Sequence, residues 1–171
     1  MSKCAVCTTK KPTLECGMCH SAICKSCTDF VDESTFRYAP QIPNRLQASP
    51  TYCLNCYTTD VIPEIEKYEN LLAEAKEIRV YDITQTKETR LLKRLEPVIE
   101  VKCCVDVPEA TMKLAFITAK LGFNCMIDMR LKTAKIRDTN NYQTSEVSGS
   151  AIPTHLDESK VMRDRTFSDP N

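Results

Sequence analysis

Four Cys-x-x-Cys pairs crowd the first third of this chain and constrain its fold more than any other feature. They are Cys4/Cys7, Cys16/Cys19, Cys24/Cys27 and Cys53/Cys56, separated by 8, 4 and 25 residues. Two cysteines spaced this way can grip one metal through a tight turn. Two such pairs complete a tetrahedral four-thiolate site with Zn–S near ~2.3 Å. Eight thiolates therefore predict two structural zinc ions per chain. Disulfides are the competing reading. The opening residues, MSKCAVCTTKKP, carry no apolar signal core, so a cytoplasmic, reducing compartment is expected, where disulfides do not persist. Four Cys-x-x-Cys motifs are also too many for a redox protein, which needs one. Residues 1–57 hold few large apolar side chains, and so small a core rarely suffices alone. Zinc supplies the missing stability, on the order of 10 kcal/mol per site in small fingers.

The pairs can share metals sequentially or in an interleaved cross-brace. The four-residue gap between Cys19 and Cys24 suits a chain passing directly from one site to the other, which favours the cross-brace. That partition puts Cys4, Cys7, Cys24 and Cys27 on one zinc, and Cys16, Cys19, Cys53 and Cys56 on the other. Four such pairs with this central gap resemble the FYVE zinc finger and its relatives over residues 1–58. The resemblance implies the scaffold but not the family's lipid ligand, phosphatidylinositol 3-phosphate. The run after Cys19 holds only His20 and Lys25, the chain has no Trp, and Thr51-Tyr52 precedes Cys53 where an Arg is wanted. A RING-like finger is the rival. His20 can stand in for Cys19 in its ligand spacing, and Val6 sits where a RING presents an apolar side chain to a ubiquitin-conjugating enzyme.

Charge also speaks against anionic ligands. Lys plus Arg and Asp plus Glu both number 23, so the chain is formally neutral and no nucleic-acid partner is expected. Residues 1–57 carry six basic and four acidic side chains, and eight thiolates with two Zn2+ leave this module near −2. Lys10-Lys11 reads as a solvated turn. Three glycines exclude a phosphate-binding glycine loop, and no apolar run reaches the length of a transmembrane helix. Residues 29–51, with Pro40, Pro43 and Pro50, read as an irregular loop.

A helix follows over residues 59–79, capped by Asp60 with Pro63 in its first turn. Its apolar stripe is Ile65, Tyr68, Leu72 and Ala75. Residues 80–153 predict an α+β domain, mostly antiparallel sheet with one main helix. Short strands are expected near 79–83, 98–105, 125–131 and 142–152. The helix opens on a capping box, Asp106 with Glu109, and ends at Gly122; its expected stripe is Ala110, Leu114, Ile117 and Leu121. The stretch AKLGFNCMID and the later VSGSAI are similar to the YbjQ-type metal-binding family. That similarity implies a small ring-forming α+β domain and little chemistry.

Cys103, Cys104 and Cys125 read as core side chains, with a labile metal or redox site as the alternative. His155 reads as an exposed loop residue, and residues 154–171 as a tail. No catalytic constellation is present, so no enzyme is expected. The chain as a whole reads as a zinc-binding interaction or scaffold protein with protein partners and self-association through its C-terminal domain. A RING-like ubiquitin ligase and a metal sensor or carrier are the alternatives.

Overall fold

A computed structural model describes residues 3–47, 49–137 and 143–157. The chain divides into two compact units, Met1–Asn70 and Leu71–Asn171, with the boundary inside a helix. In the first unit, two short antiparallel hairpins space the cysteines. β1 (Leu14–Glu15) pairs with β2 (Ala22–Ile23), and β3 (Thr28–Phe30) pairs with β4 (Thr51–Cys53). Cys16 leaves β1, Cys24 leaves β2, Cys27 enters β3 and Cys53 ends β4, so each strand end delivers a thiol. The proline-bearing segment is irregular, as expected, but well anchored. It carries two 3-10 turns, Glu33–Phe36 and Asn44–Leu46. Phe36 packs edge-on against Tyr68, with ring centroids 5.2 Å apart. The Tyr68 hydroxyl accepts the Tyr38 N–H at 3.3 Å, and the buried Tyr52 hydroxyl donates to the Leu46 carbonyl at 3.1 Å.

Asp60 does not cap the helix. The helical backbone starts earlier, as α1 (Leu54–Cys56), widens into a π turn (Tyr57–Val61) and continues as α2 (Ile62–Lys76). The reason is Pro63. Inside an α-helix its ring would clash with a carbonyl one turn back and its missing N–H would leave that carbonyl idle. The wider turn re-registers the chain, with the Ile62 N–H bonding to the Tyr57 carbonyl. Thr58 and Thr59 hydroxyls take up the carbonyls of Leu54 and Asn55. The helix can therefore begin on the last cysteine pair.

The second unit is a four-stranded sheet in the order β5-β7-β8-β6. β5 (Arg79–Asp82) runs parallel to β7 (Cys125–Arg137), while β8 (Gln143–Thr154) is antiparallel to both β7 and β6 (Ile99–Cys104). The one main helix here, α3 (Val107–Lys120), opens as expected. The Asp106 carboxylate accepts the Glu109 N–H at 2.7 Å, and the Glu109 carboxylate accepts the Val105 N–H at 2.8 Å. Gly122, at φ +83°, ends it. Ala110, Leu114, Ala115, Thr118 and Ala119 form its buried side. Leu121 does not belong to it: it lies one residue past the helix and is 53% exposed. Gly149 lets α3 approach the sheet. A Cβ there would lie 2.8 Å from Leu131 Cδ2 and 3.1 Å from Leu114 Cδ1.

β7 and β8 are longer than the sequence pattern indicates. Residues 132–137 lie past the end of the expected strand, yet they pair with 143–148, from Lys132↔Ser148 to Arg137↔Gln143. Cross-strand pairing overrides the missing apolar alternation, because a ribbon wet on both faces needs none. Tyr142 and residues 158–171, parts of the expected last strand and tail, lie outside the described residues. The expected tail begins later than position 154. Thr154 ends β8, and Leu156 is buried with its N–H and carbonyl both bonded to the Asn124 side chain.

A bulge divides β7. Asp128 and Met129 together face one residue of β8, between the pairs Ile127↔Ile152 and Arg130↔Ser150, and Asp128 takes φ +52°. The extra residue flips the alternation. Met126 and Leu131 both face α3, while Ile127 faces the opposite side. There Cys125, Ile127 and Leu156 form a second apolar cluster with Tyr81, Leu92 and Ile152. The segment between β5 and β6 supplies Leu92 and is clamped by Arg94. Its guanidinium grips the Asp128 carboxylate at 2.6 and 3.0 Å and also binds the Thr89 and Leu92 carbonyls.

Candidate metal centres

The structure gathers the eight paired cysteines into two tetrads, Cys4/Cys7/Cys24/Cys27 and Cys16/Cys19/Cys53/Cys56, each with its sulfurs within 4.8 Å of one another. The order along the chain is interleaved. A tetrahedron with metal–sulfur arms of ~2.3 Å has edges of about 3.8 Å. Cys7 and Cys24 Sγ stand 3.8 Å apart, and Cys19 and Cys53 Sγ 3.9 Å apart. One edge of each tetrad therefore already has the length a divalent ion of zinc's size requires. Both sites can hold a metal ion.

The two centres are built alike. In each, the first cysteine is buried and its sulfur accepts backbone N–H groups. Cys4 Sγ accepts from Val6 at 3.4 Å and from Cys24 at 3.3 Å; Cys16 Sγ accepts from Cys53 at 3.3 Å. The turn closes the same way, Thr8 N–H to Cys4 O and His20 N–H to Cys16 O, both at 2.9 Å. Thr8 and His20, each directly after the second cysteine, take φ of 56° and 58°. That left-handed residue swings the chain out of the turn so that both sulfurs face inward.

Hydrogen bonding separates the thiols into two kinds. Cys7 is drawn down to about 5 by the Thr9 hydroxyl and by the Lys10 and Thr9 backbone. Cys4 is lowered chiefly by the Cys7 backbone N–H, and Cys19 by the Ser21 hydroxyl. Burial works to raise Cys16, but N–H groups of Cys19, Cys53 and Met18 outweigh it and bring the thiol to about 6. Three thiols of the later pairs shift the other way. The Cys24 thiol pushes Cys27 up to about 12, and burial raises Cys53 and Cys56. An entering cation would displace the protons held on Cys27, Cys53 and Cys56.

His20 stands outside both tetrads, with Nδ1 2.8 Å from Glu15 Oε1. The second tetrad takes its sulfur from Cys19, not an imidazole from the next residue. Lys10 bonds the Ser26 hydroxyl at 2.8 Å across the first centre. The remaining cysteines come together at no site: no third metal-ligand cluster occurs among the described residues. Cys104 and Cys125 are buried, and burial pushes Cys125 up to about 11. Cys103 is not a core residue. A bulge in β6 places it on the surface at φ +56°, beside Glu146, which raises its thiol. His155 is exposed, its ring 4.7 Å from that of Phe123.

Sequence reasoning missed the backbone donors that tune the sulfurs and the left-handed residue closing each turn. Only the hydroxyls of Thr9 and Ser21, two residues past each first pair's second cysteine, were visible signals. No helix among the described residues is long and apolar enough to cross a membrane. No family model, no curated protein and no solved structure matches this chain. The two metal centres therefore rest on their own geometry.

Proposed function

We propose that this protein is a zinc-dependent interaction module. Two Zn2+ ions, one per tetrad, hold a FYVE-like cross-brace finger, whose loops are displayed to a protein partner in the cytoplasm. The second unit adds self-association or a further partner surface. The observation that carries this reading is the interleaved pair of four-sulfur clusters at near-tetrahedral spacing. Thiolate-only donor sets with no open position suit structural zinc, which supplies rigidity rather than reactivity. The finger's surface fits a binding role. Val6, between the first two ligands, is 43% exposed, and Leu54, between the last two, is 55% exposed. Native mass spectrometry of the reduced, freshly purified protein tests the reading. Two zinc ions per chain are expected, and one or none rejects it. Light scattering against concentration tests the assembly part, which a monomer at all concentrations removes.

A RING-like ubiquitin ligase is the second reading, favoured by the exposure of Val6. Autoubiquitination assays across a panel of conjugating enzymes decide it, with the Val6→Ala variant expected to lose activity if the reading holds. Phosphatidylinositol 3-phosphate is not the proposed ligand, because the metallated finger is net negative and its basic run is reduced to His20 and Lys25.

A further inference from the structure

The sheet of the second unit has two edges, β5 and β6. An edge strand leaves a row of N–H and carbonyl groups unpaired, a template for one more strand. Among the described residues, no backbone group other than those of β8 bonds the backbone of β6. The register with β8 fixes the faces of β6. Val101 lies opposite Gly149 and Cys104 opposite Val147, on the side of α3. Glu100 lies opposite Ser150, and the bulged pair Lys102 and Cys103 opposite Ser148, on the other side. Glu100 and Lys102 are exposed, and neither side chain has an ion-pair partner among the described residues. Just outside the strand, Val98 is 56% exposed and Val105 70%.

We propose that β6 pairs with the β6 of a second copy of this chain, antiparallel and centred on Val101, joining two four-stranded sheets into one. The assignment rests on the self-association proposed above and names its surface. What carries it is the self-complementarity of the strand. With Val101 against Val101, Glu100 of each copy faces the bulge of the other, where Lys102 can reach its carboxylate. The bulge makes Lys102 and Cys103 one position, so Ile99 then meets Cys104 on the α3 side. On the other side the exposed Val98 meets the exposed Val105, and their burial adds an apolar gain. Charge refuses the neighbouring registers. Centring on Glu100 sets carboxylate against carboxylate, and centring on Lys102 sets ammonium against ammonium. A centre between two residues would oppose side chains of opposite faces, which an antiparallel pair does not permit. A lysine ordinarily blocks an edge. On β6 its counter-charge stands two residues away, so one register is admitted and the others are not. The opposite edge lacks this property: Arg79 and Asp82, the unlike charges of β5, are three residues apart and lie on opposite faces.

The test is sedimentation velocity of the full, zinc-loaded chain across micromolar concentrations, where the parent should dimerise reversibly. Glu100→Lys and Lys102→Glu, made separately, each turn two attractive cross-strand pairs of the dimer into two repulsive ones. Each should weaken the dimer by about 10-fold or more. Mixing the two variants should restore dimers, because every pair in the mixed dimer is again lysine against glutamate. Both changes combined in one chain should restore them as well. Glu100 and Lys102 are exposed, so the variants should retain their zinc content and circular dichroism. Lys87→Glu, outside β6, should leave the dimer unaltered. A parent that stays monomeric at every concentration would overturn the pairing and the self-association reading together. A dimer indifferent to both single changes, or single variants that fail to combine on mixing, would overturn the β6 assignment alone and move self-association to another face.

Discussion

The two compact units solve the same problem by different physics. In the finger, strands of two and three residues and a handful of buried side chains organise eight sulfurs, and those sulfurs are the centre of the unit. In the second unit, α3 and one face of the sheet enclose Leu114, Met126 and Val147, while a clamped segment covers Cys125 and Ile127 on the other face. On the proposed reading, one unit depends on a metal ion that the chain does not encode. The other depends on apolar area that it does. The comparison teaches that metal dependence should stop at the unit boundary.

The largest expected effect breaks the two apart. Stripping metal with a chelator, or changing Cys24→Ser, should remove stabilisation on the order of 10 kcal/mol at one site and unfold the finger. Amide exchange in β6, α3, β7 and β8 should stay protected. Simultaneous loss of protection in both units would show that the division is wrong.

A core cavity works in the reverse direction. Leu114 is fully buried against the sheet, so Leu114→Ala should cost about 2–5 kcal/mol in urea unfolding of the second unit. Zinc content should remain at its wild-type value. An equal loss of zinc would mean that the finger leans on this core after all.

The Arg94–Asp128 clamp sharpens the comparison within the second unit. Asp128→Asn should cost about 1–2 kcal/mol, since charge-assisted hydrogen bonds are lost at a partly solvated site. The sign with pH follows from the direction of the shift. Arg94 holds the Asp128 carboxyl below its ordinary value. Its stabilisation is therefore complete above the unfolded value near ~3.9 and fades as pH falls through the lower folded one. Wild type should exceed Asp128→Asn by a constant amount above about pH 4, and the two should converge as pH falls below it through the lower folded value. Parallel curves across that range would show that the clamp contributes nothing.

Leu121→Ser marks the small end of the scale. The residue lies past the end of α3 and is half exposed, so a change within about 0.5 kcal/mol is expected. If this change instead dissociated an oligomer seen by light scattering, Leu121 would become an interface residue.

Much of the plan was legible before the structure. Spacing alone paired the cysteines, because a Cys-x-x-Cys turn is a local geometry that needs no neighbours. The capping box of Asp106 and Glu109 and the stop at Gly122 are likewise local, and the structure keeps them. Asp60 misled because a proline in the first turn is the usual pattern, and nothing in the sequence announces a π turn. Leu121 misled because helical spacing continues on paper after the helix has stopped.

The donor set and its local turns are written in the order of residues: eight thiols, fixed two by two within a few residues of backbone. Everything that depends on residues far apart meeting belongs to the fold. It brought Cys53 N–H to Cys16 and raised or lowered individual thiols accordingly. It placed the bulge at Asp128, which reverses the faces of β7, and closed Arg94 over it across 34 positions of chain. Composition counts charges and spacing counts bonds, but burial and electrostatic potential depend on distance in space, which folding alone assigns.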